Sequence, residues 1–258
     1  MNYSIFYSWQ SDKPGVCNRT FISNALKAAA DQLQLDATLV DSPRVDSGME
    51  GISGTPEVAS IMFQKIRESA LFVGDMTLTG EAHRHDGETR KVPNSNVSLE
   101  LGYAAGVLGW ERVICVMNEH YGKRSELPFD VRNRRFPINY FLAPDDTANR
   151  DQVAADLTKW LRVAIATAET CAFQRADDAL RSLDLKCLQL VATYGHFDSF
   201  PEPTDKSPDA AHKPLFASSI PRLLDLRLLN SDINKQQGLY AYHWTHLGKK
   251  VFGLVSPQ

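Results

Sequence analysis

The stretch PNSNVSLELGYAAGVLGWERVICVM, residues 93 to 117, holds a capped helix and a strand back to back. Asn94 to Asn96 supply the polar cap, and Val97, Leu101, Ala104 and Leu108 recur at helical spacing to make one apolar face. Arg112 to Met117 then reads as a β-strand. Moving upstream, Leu71 to Asp75 is a second short β-run. It follows a helix carried by Val58, Ile61, Met62 and Ile66, which Thr55 and Pro56 cap through a hydroxyl acceptor and a proline in the first turn. Further back stand a strand over Ala37 to Asp41, a helix on Phe21, Ile22, Ala25, Leu26, Ala29 and Leu33, and a first strand over Tyr3 to Ser8. Downstream come a fifth strand over Pro137 to Leu142 and a helix over Arg150 to Thr170, with Val153, Leu157, Trp160, Leu161, Ala164 and Ile165 on one side.

Strands alternating with helices in this way predict an α/β domain over residues 1–172, a flavodoxin-like, doubly wound sheet of five parallel strands. In such a sheet ligands bind beyond the carboxyl ends of the strands, so the loops after strands one, two and three matter most. The chain has 258 residues and 43% hydrophobic content, enough for one large or two modest cores. Its net charge of -3 and pI near 6.2 lack the basic excess of a nucleic-acid binder. The start MNYSIFYSWQ has no basic segment before an apolar run, and no stretch is long and apolar enough for a membrane span, which predicts a soluble, cytoplasmic protein. Cys17, Cys115, Cys171 and Cys187 form no CxxC pair, so neither a zinc site nor a redox motif is readable. His83 and His85 sit in the charged stretch EAHRHDGETRK, read as a loop, and no metal is expected.

Residues 173–258 change character. A helix from Ala179 to Thr193 is followed by the loop FPEPTDKSPDAAHKP, the segment SSIPRLLDLRLLNSD, and then GLYAYHW as a strand with Thr245 capping a closing helix. The order suggests a small α+β domain of winged helix-turn-helix type. Across residues 176–258 nine Lys and Arg balance nine Asp and Glu, and Asp225 lies between Arg222 and Arg227 on the recognition-helix segment. That balance favours a protein partner or self-association over nucleic acid.

Glu100 is the residue that asks for a reason, because it lies one position before Leu101 and three after Val97, on or beside the buried face of its helix. Either it edges the core and pairs with an arginine, or it points into the cleft above the sheet, where the nearby helix N-terminus helps to keep it ionised. Tyr7, Ser8, Trp9 and Asp12 gather where strand one meets its loop. Ser8 and Asp12 suit a ribose or phosphate, and Trp9 a base, though Trp9 can equally serve as packing. Asp75 ends the third strand and either faces the site or caps the next turn. Between Asp41 and Thr55 a glycine-bearing loop carries Arg44, a candidate for a pyrophosphate, and Arg132, Arg134 and Arg135 form a basic cluster suited to phosphate or simply solvated.

FYSWQSD at Phe6 to Asp12, FVGDMT at Phe72 to Thr77, PNSNVSLELGYA at Pro93 to Ala104 and LPFDVRNRR at Leu127 to Arg135 together resemble the bacterial TIR-like (Toll/interleukin-1 receptor-like) proteins. The ELGYA element is also similar to that of the nucleoside deoxyribosyltransferases. The resemblance implies that Glu100 is the catalytic carboxylate of an enzyme that cleaves the nicotinamide–ribose bond of NAD, with NAD as substrate rather than cofactor. Tyr7, Ser8, Trp9, Asp12, Arg44, Asp75, Asn94, Asn96, Arg132 and Arg135 are then the substrate-binding candidates. The Asp41–Thr55 loop would guard the cleft, and activity would rise on homo-oligomeric assembly, as part of bacterial defence against phage. Nicotinamide in NAD already carries positive charge and departs neutral, so a single anion facing the ribosyl cation suffices, where ordinary glycosidases need a second carboxyl group. Water as acceptor yields ADP-ribose, and an adenine nitrogen yields a cyclic product. Two other readings stay open: an N-glycosidase or transferase acting on nucleosides or nucleotides, and a non-catalytic adaptor that senses a nucleotide.

Overall fold

The computed structural model describes residues 3–35, 43–46, 58–83, 85–133, 137–234 and 238–256. Two compact units divide the chain, Met1–Glu169 and Thr170–Gln258.

In the first unit the elements run β1 (Tyr3–Ser8), α1 (Arg19–Leu35), β2 (Pro43–Asp46), α2 (Val58–Glu68), β3 (Leu71–Asp75), β4 (Leu78–His83), β5 (Thr89–Pro93), α3 (Ser95–Leu108), β6 (Val113–Asn118), α4 (Phe129–Arg132), β7 (Ile138–Tyr140) and α5 (Arg150–Arg181). Five strands form one sheet in the order β2-β1-β3-β6-β7, with every pairing parallel. This order is compatible with a flavodoxin-like core. The period of two along each strand sends its side chains to opposite faces, and each face has its own core. Tyr3, Ile5, Tyr7, Leu71, Val73, Ile114 and Val116 pack with Ile22, Leu26 and Leu33 of α1 and Leu157, Leu161 and Ile165 of α5. Phe6, Phe72 and Met117 pack the other way, with Met62 and Ile66 of α2 and Val97, Leu101 and Leu108 of α3. Truncating any of the fully buried leucines or isoleucines to alanine costs about 2–5 kcal/mol.

The structure departs from the sequence reading at several places. The strand expected over Ala37–Asp41, the capping pair Thr55 and Pro56, and most of the expected guarding loop lie outside the described residues. Part of that loop is strand instead, since Pro43–Asp46 pairs with Tyr3–Phe6. The charged stretch read as a loop forms an antiparallel hairpin, with β4 pairing β5 from Leu78 opposite Pro93 to His83 opposite Thr89. His83 Nδ1 lies 3.1 Å from Thr89 Oγ1 across it. The hairpin covers no core beyond Leu78 and Pro93, so its strands carry charged residues in place of apolar alternation.

The second unit holds α6 (Leu185–Tyr194), β8 (Ser199–Pro201), α7 (Lys213–Asp225), β9 (Leu229–Asn234), β10 (Leu239–Trp244) and α8 (His246–Val255). Its sheet is antiparallel in the order β8-β10-β9, and Leu190, Val191, Leu223, Leu228 and Val251 lie in its core with Phe200, Phe216 and Trp244. The helix expected over Ala179–Thr193 is two helices: α5 runs on to Arg181, and Asp184 caps α6 by accepting from the Cys187 N–H at 2.8 Å. SSIPRLLDLRLLNSD also divides, into the end of α7 and the strand β9. At the junction Arg227 adopts φ 56, the left-handed conformation that usually falls to glycine at a helix end. It lets the Leu228 N–H reach the Leu223 carbonyl at 2.9 Å. The Thr245 hydroxyl caps α8, accepting from the Gly248 N–H at 3.1 Å. No described helix is long and apolar enough to cross a membrane.

Candidate active site

The carboxyl edge of the parallel sheet is where β1 and β3 end and α3 begins. Asn94 starts that helix, its Oδ1 accepting from the N–H groups of Asn96 at 2.9 Å and Val97 at 3.2 Å. Its Nδ2 donates to Asp12 at 2.8 Å, which ties the loop after β1 to the helix. One turn further along α3, on the same side as Asn96, stands Glu100. Ser8, the last residue of β1 and itself buried, donates its hydroxyl to Glu100 Oε2 at 2.5 Å. Ser8 faces α3 because it shares the Phe6 side of the strand. Its partner across the sheet is Gly74, where a Cβ would come within 2.9 Å of the Phe72 ring. A side chain at Gly74 would crowd the ground between the sheet and α3.

Glu100 is half-buried, and burial raises its pKa above the ordinary glutamate value, while the Ser8 hydroxyl pulls it back down. Oε1 has no hydrogen-bond partner among the described residues. The carboxylate is therefore oriented through one oxygen and uncommitted at the other.

Ser8, Asp12, Asn94, Asn96 and Glu100 come together at this edge. The other candidates do not. Tyr7 points to the opposite face, buried against α1, with its hydroxyl donating to the Arg19 carbonyl at 3.4 Å. Burial holds its phenol well above the usual value. Trp9 packs on the same core, and the Arg19 guanidinium lies 3.5 Å from its ring centroid, so that face is not open to a base. Arg44 is exposed and pairs with Ser4, about 13 Å short of the carboxyl edge at about 3.3 Å per residue. Arg132 turns to the Ser125 carbonyl at 3.0 Å, and Arg135 lies outside the described residues.

Asp75 is completely buried and belongs to the α1 face, one residue out of step with Gly74. Gln10 Nε2 at 3.1 Å and Asn18 Nδ2 at 3.4 Å donate to Oδ2, and the Thr77 N–H donates to Oδ1 at 3.1 Å. Burial raises its pKa and these donors oppose the rise. The knot continues through Thr77 Oγ1, which accepts from Asn18 Nδ2 at 2.9 Å and from the Asn118 N–H at 3.0 Å. Asn118 Nδ2 then donates to the Cys17 and Leu142 carbonyls at 3.0 and 2.9 Å. Gln10, Asn18, Thr77 and Asn118 thus lock the loops after β1, β3, β6 and β7 to one another. Sequence reasoning passed over all four, although Thr77 and Asn118 each stand at the polar end of an apolar strand.

The arrangement can oppose positive charge at a small electrophilic centre with one oriented anion, on a rigid floor. No protein-family model matches the chain, and no curated protein matches it.

Proposed function

We propose that the protein is an N-glycosyl hydrolase that cleaves the nicotinamide–ribose bond of NAD, with Glu100 as its catalytic carboxylate. The observation that carries this reading is a half-buried glutamate at the carboxyl edge of a parallel sheet, oriented through Oε2 by Ser8 and free at Oε1 among the described residues. As the C1′–N bond breaks, its electron pair goes to the nicotinamide ring, which leaves neutral, and positive charge develops on the ribose. Glu100 opposes that charge from one face, by hydrogen-bonding the ribose hydroxyls or by a transient ester at C1′. Water then adds, loses its proton and gives ADP-ribose, or an adenine nitrogen of the same molecule closes the ring. Asp12 and Asn94, held together at the start of α3, are polar groups at the same edge suited to the ribose hydroxyls.

The second unit, with α6 and α7 preceding an antiparallel β9–β10 hairpin, is read as a winged-helix module. Its even charge favours a protein contact that relays a trigger or holds an assembly. The TIR-like resemblance further supports a cytoplasmic effector of antiphage defence, quiet as a monomer and active when assembled.

Incubating the protein with NAD and a panel of nucleotides, and identifying released bases by mass spectrometry, tests the reading. Nicotinamide release that vanishes in Glu100→Gln is the expected result. Release of adenine or cytosine without nicotinamide would replace it with a nucleoside N-glycosidase, and no release from any assembled form would leave a binding protein.

A further inference from the structure

Outside the Glu100 site, the hairpin and the segment leading into α4 line an open cleft of about 430 Å³, formed by Glu88, Thr89, Arg90, Ser125, Glu126, Phe129 and Arg132. That size is ordinary for a small-ligand site. Both guanidiniums are held by backbone carbonyls. Arg90 donates through Nε and Nη2 to the Glu126 carbonyl, each at 3.3 Å, and through Nη2 to the Leu127 carbonyl at 3.0 Å, while Arg132 Nη1 donates to Ser125 at 3.0 Å. Neither forms an ion pair among the described residues, so their charge is positioned but not neutralised. Phe129 is 64% exposed, and the Arg132 guanidinium lies 5.7 Å from its ring centroid, which leaves aromatic surface beside the two guanidiniums. Two carboxylates share the lining, and Oε2 of Glu126 already accepts from the Lys123 N–H at 2.7 Å.

A bare inorganic anion leaves the Phe129 ring and the carboxylates of Glu88 and Glu126 unused. A purely apolar ligand leaves both guanidiniums unused. We infer that the cleft binds a nucleotide monophosphate group, with the phosphate on Arg90 and Arg132, the base against Phe129, and the ribose hydroxyls donating to the carboxylates. Such a group comes either from a free mononucleotide or from the adenylate half of a dinucleotide, and in the second case the inference rests on the NAD reading.

Titrating AMP and adenosine into the full chain by calorimetry tests this without any catalytic readout. AMP is expected to bind with one-to-one stoichiometry. Arg132→Ala should weaken AMP about tenfold and leave adenosine unchanged, whereas Phe129→Ala should weaken both. Both side chains are at least partly exposed, so unchanged thermal melts are expected and confirm that the variants fold. In Glu100→Gln, which keeps this cleft intact, NAD displacing AMP identifies the adenylate half, and AMP binding undisturbed by NAD identifies a free mononucleotide. Absence of AMP binding, or AMP binding equally well to wild type, Arg132→Ala and Phe129→Ala, overturns the inference, and does so whether or not NAD is cleaved.

Discussion

Glu100 and Asp75 are both acidic residues at the carboxyl end of the same sheet, and burial raises the pKa of each. Their surroundings otherwise diverge. Asp75 is sealed and receives donors on both oxygens from Gln10, Asn18 and Thr77, so every lone pair that matters is engaged in holding loops together. Glu100 is half open and, among the described residues, receives one hydroxyl on Oε2 and nothing on Oε1. The pleat creates the difference: Ser8 and Asp75 fall on opposite faces, one toward α3 and the other toward α1. With its donors complete, the Asp75 carboxylate is part of the architecture, whereas the Glu100 carboxylate keeps capacity to accept further hydrogen bonds.

The sharpest way to break this contrast is to neutralise each residue in turn. Glu100→Gln should reduce nicotinamide release by at least about a hundredfold, with an unchanged thermal midpoint, because an amide keeps the shape and removes the anion. Asp75→Asn should do the reverse. It turns an amide N–H₂ toward donors that need an acceptor, which costs about 1–3 kcal/mol of stability by urea denaturation, with catalysis per folded molecule retained.

The same Asp75 experiment has a pH signature. A carboxyl whose folded value is raised above its unfolded one binds more protons when folded across the window between them. Stability is therefore fully present below the unfolded value and is lost as pH rises through the folded value. Urea midpoints followed upward in pH from about 4 should show that downward slope in wild type and lose it in Asp75→Asn.

A smaller effect probes the frame around Glu100. Asn94→Ala removes the cap of α3 and the tie to Asp12, and should lower stability by about 1 kcal/mol, read from the same urea curves. The smallest change expected is a displacement. Ser8→Ala removes the hydroxyl that favours the ionised form, so the acid limb of nicotinamide release against pH should move upward by less than about one unit. An unmoved limb would mean that Ser8 does not tune Glu100.

Much of this was legible in advance, and the exceptions share a cause. Regular apolar spacing marks β1, β3, β6 and the faces of α1, α3 and α5, because each buries a side against a core, although Trp160, read on the α5 face, is exposed. Glu100 stood out as a charge beside such a face. Tyr7 and Ser8 are neighbours, and only the period of two, with Tyr3 and Ile5 on one side and Phe6 on the other, separates the core tyrosine from the site serine. The β4–β5 hairpin is not legible in the sequence because it has almost no buried side to advertise. The knot around Asp75 draws Gln10, Asn18, Thr77 and Asn118 from distant parts of the chain, and no local pattern encodes a partnership made only by folding. Arg19 over Trp9 is a contact of the same kind.

The feet of the β4–β5 hairpin stand opposite each other, Leu78 beside Pro93, directly after Thr77 and directly before the Asn94 cap. A segment whose entry and exit touch can be lengthened, shortened or exchanged without altering the span that the rest of the chain must bridge. The hairpin is in that sense a cassette, plugged in between a fixed floor and a fixed helix, and a lineage seeking new ligands could rewrite it while leaving Ser8 and Glu100 where they are.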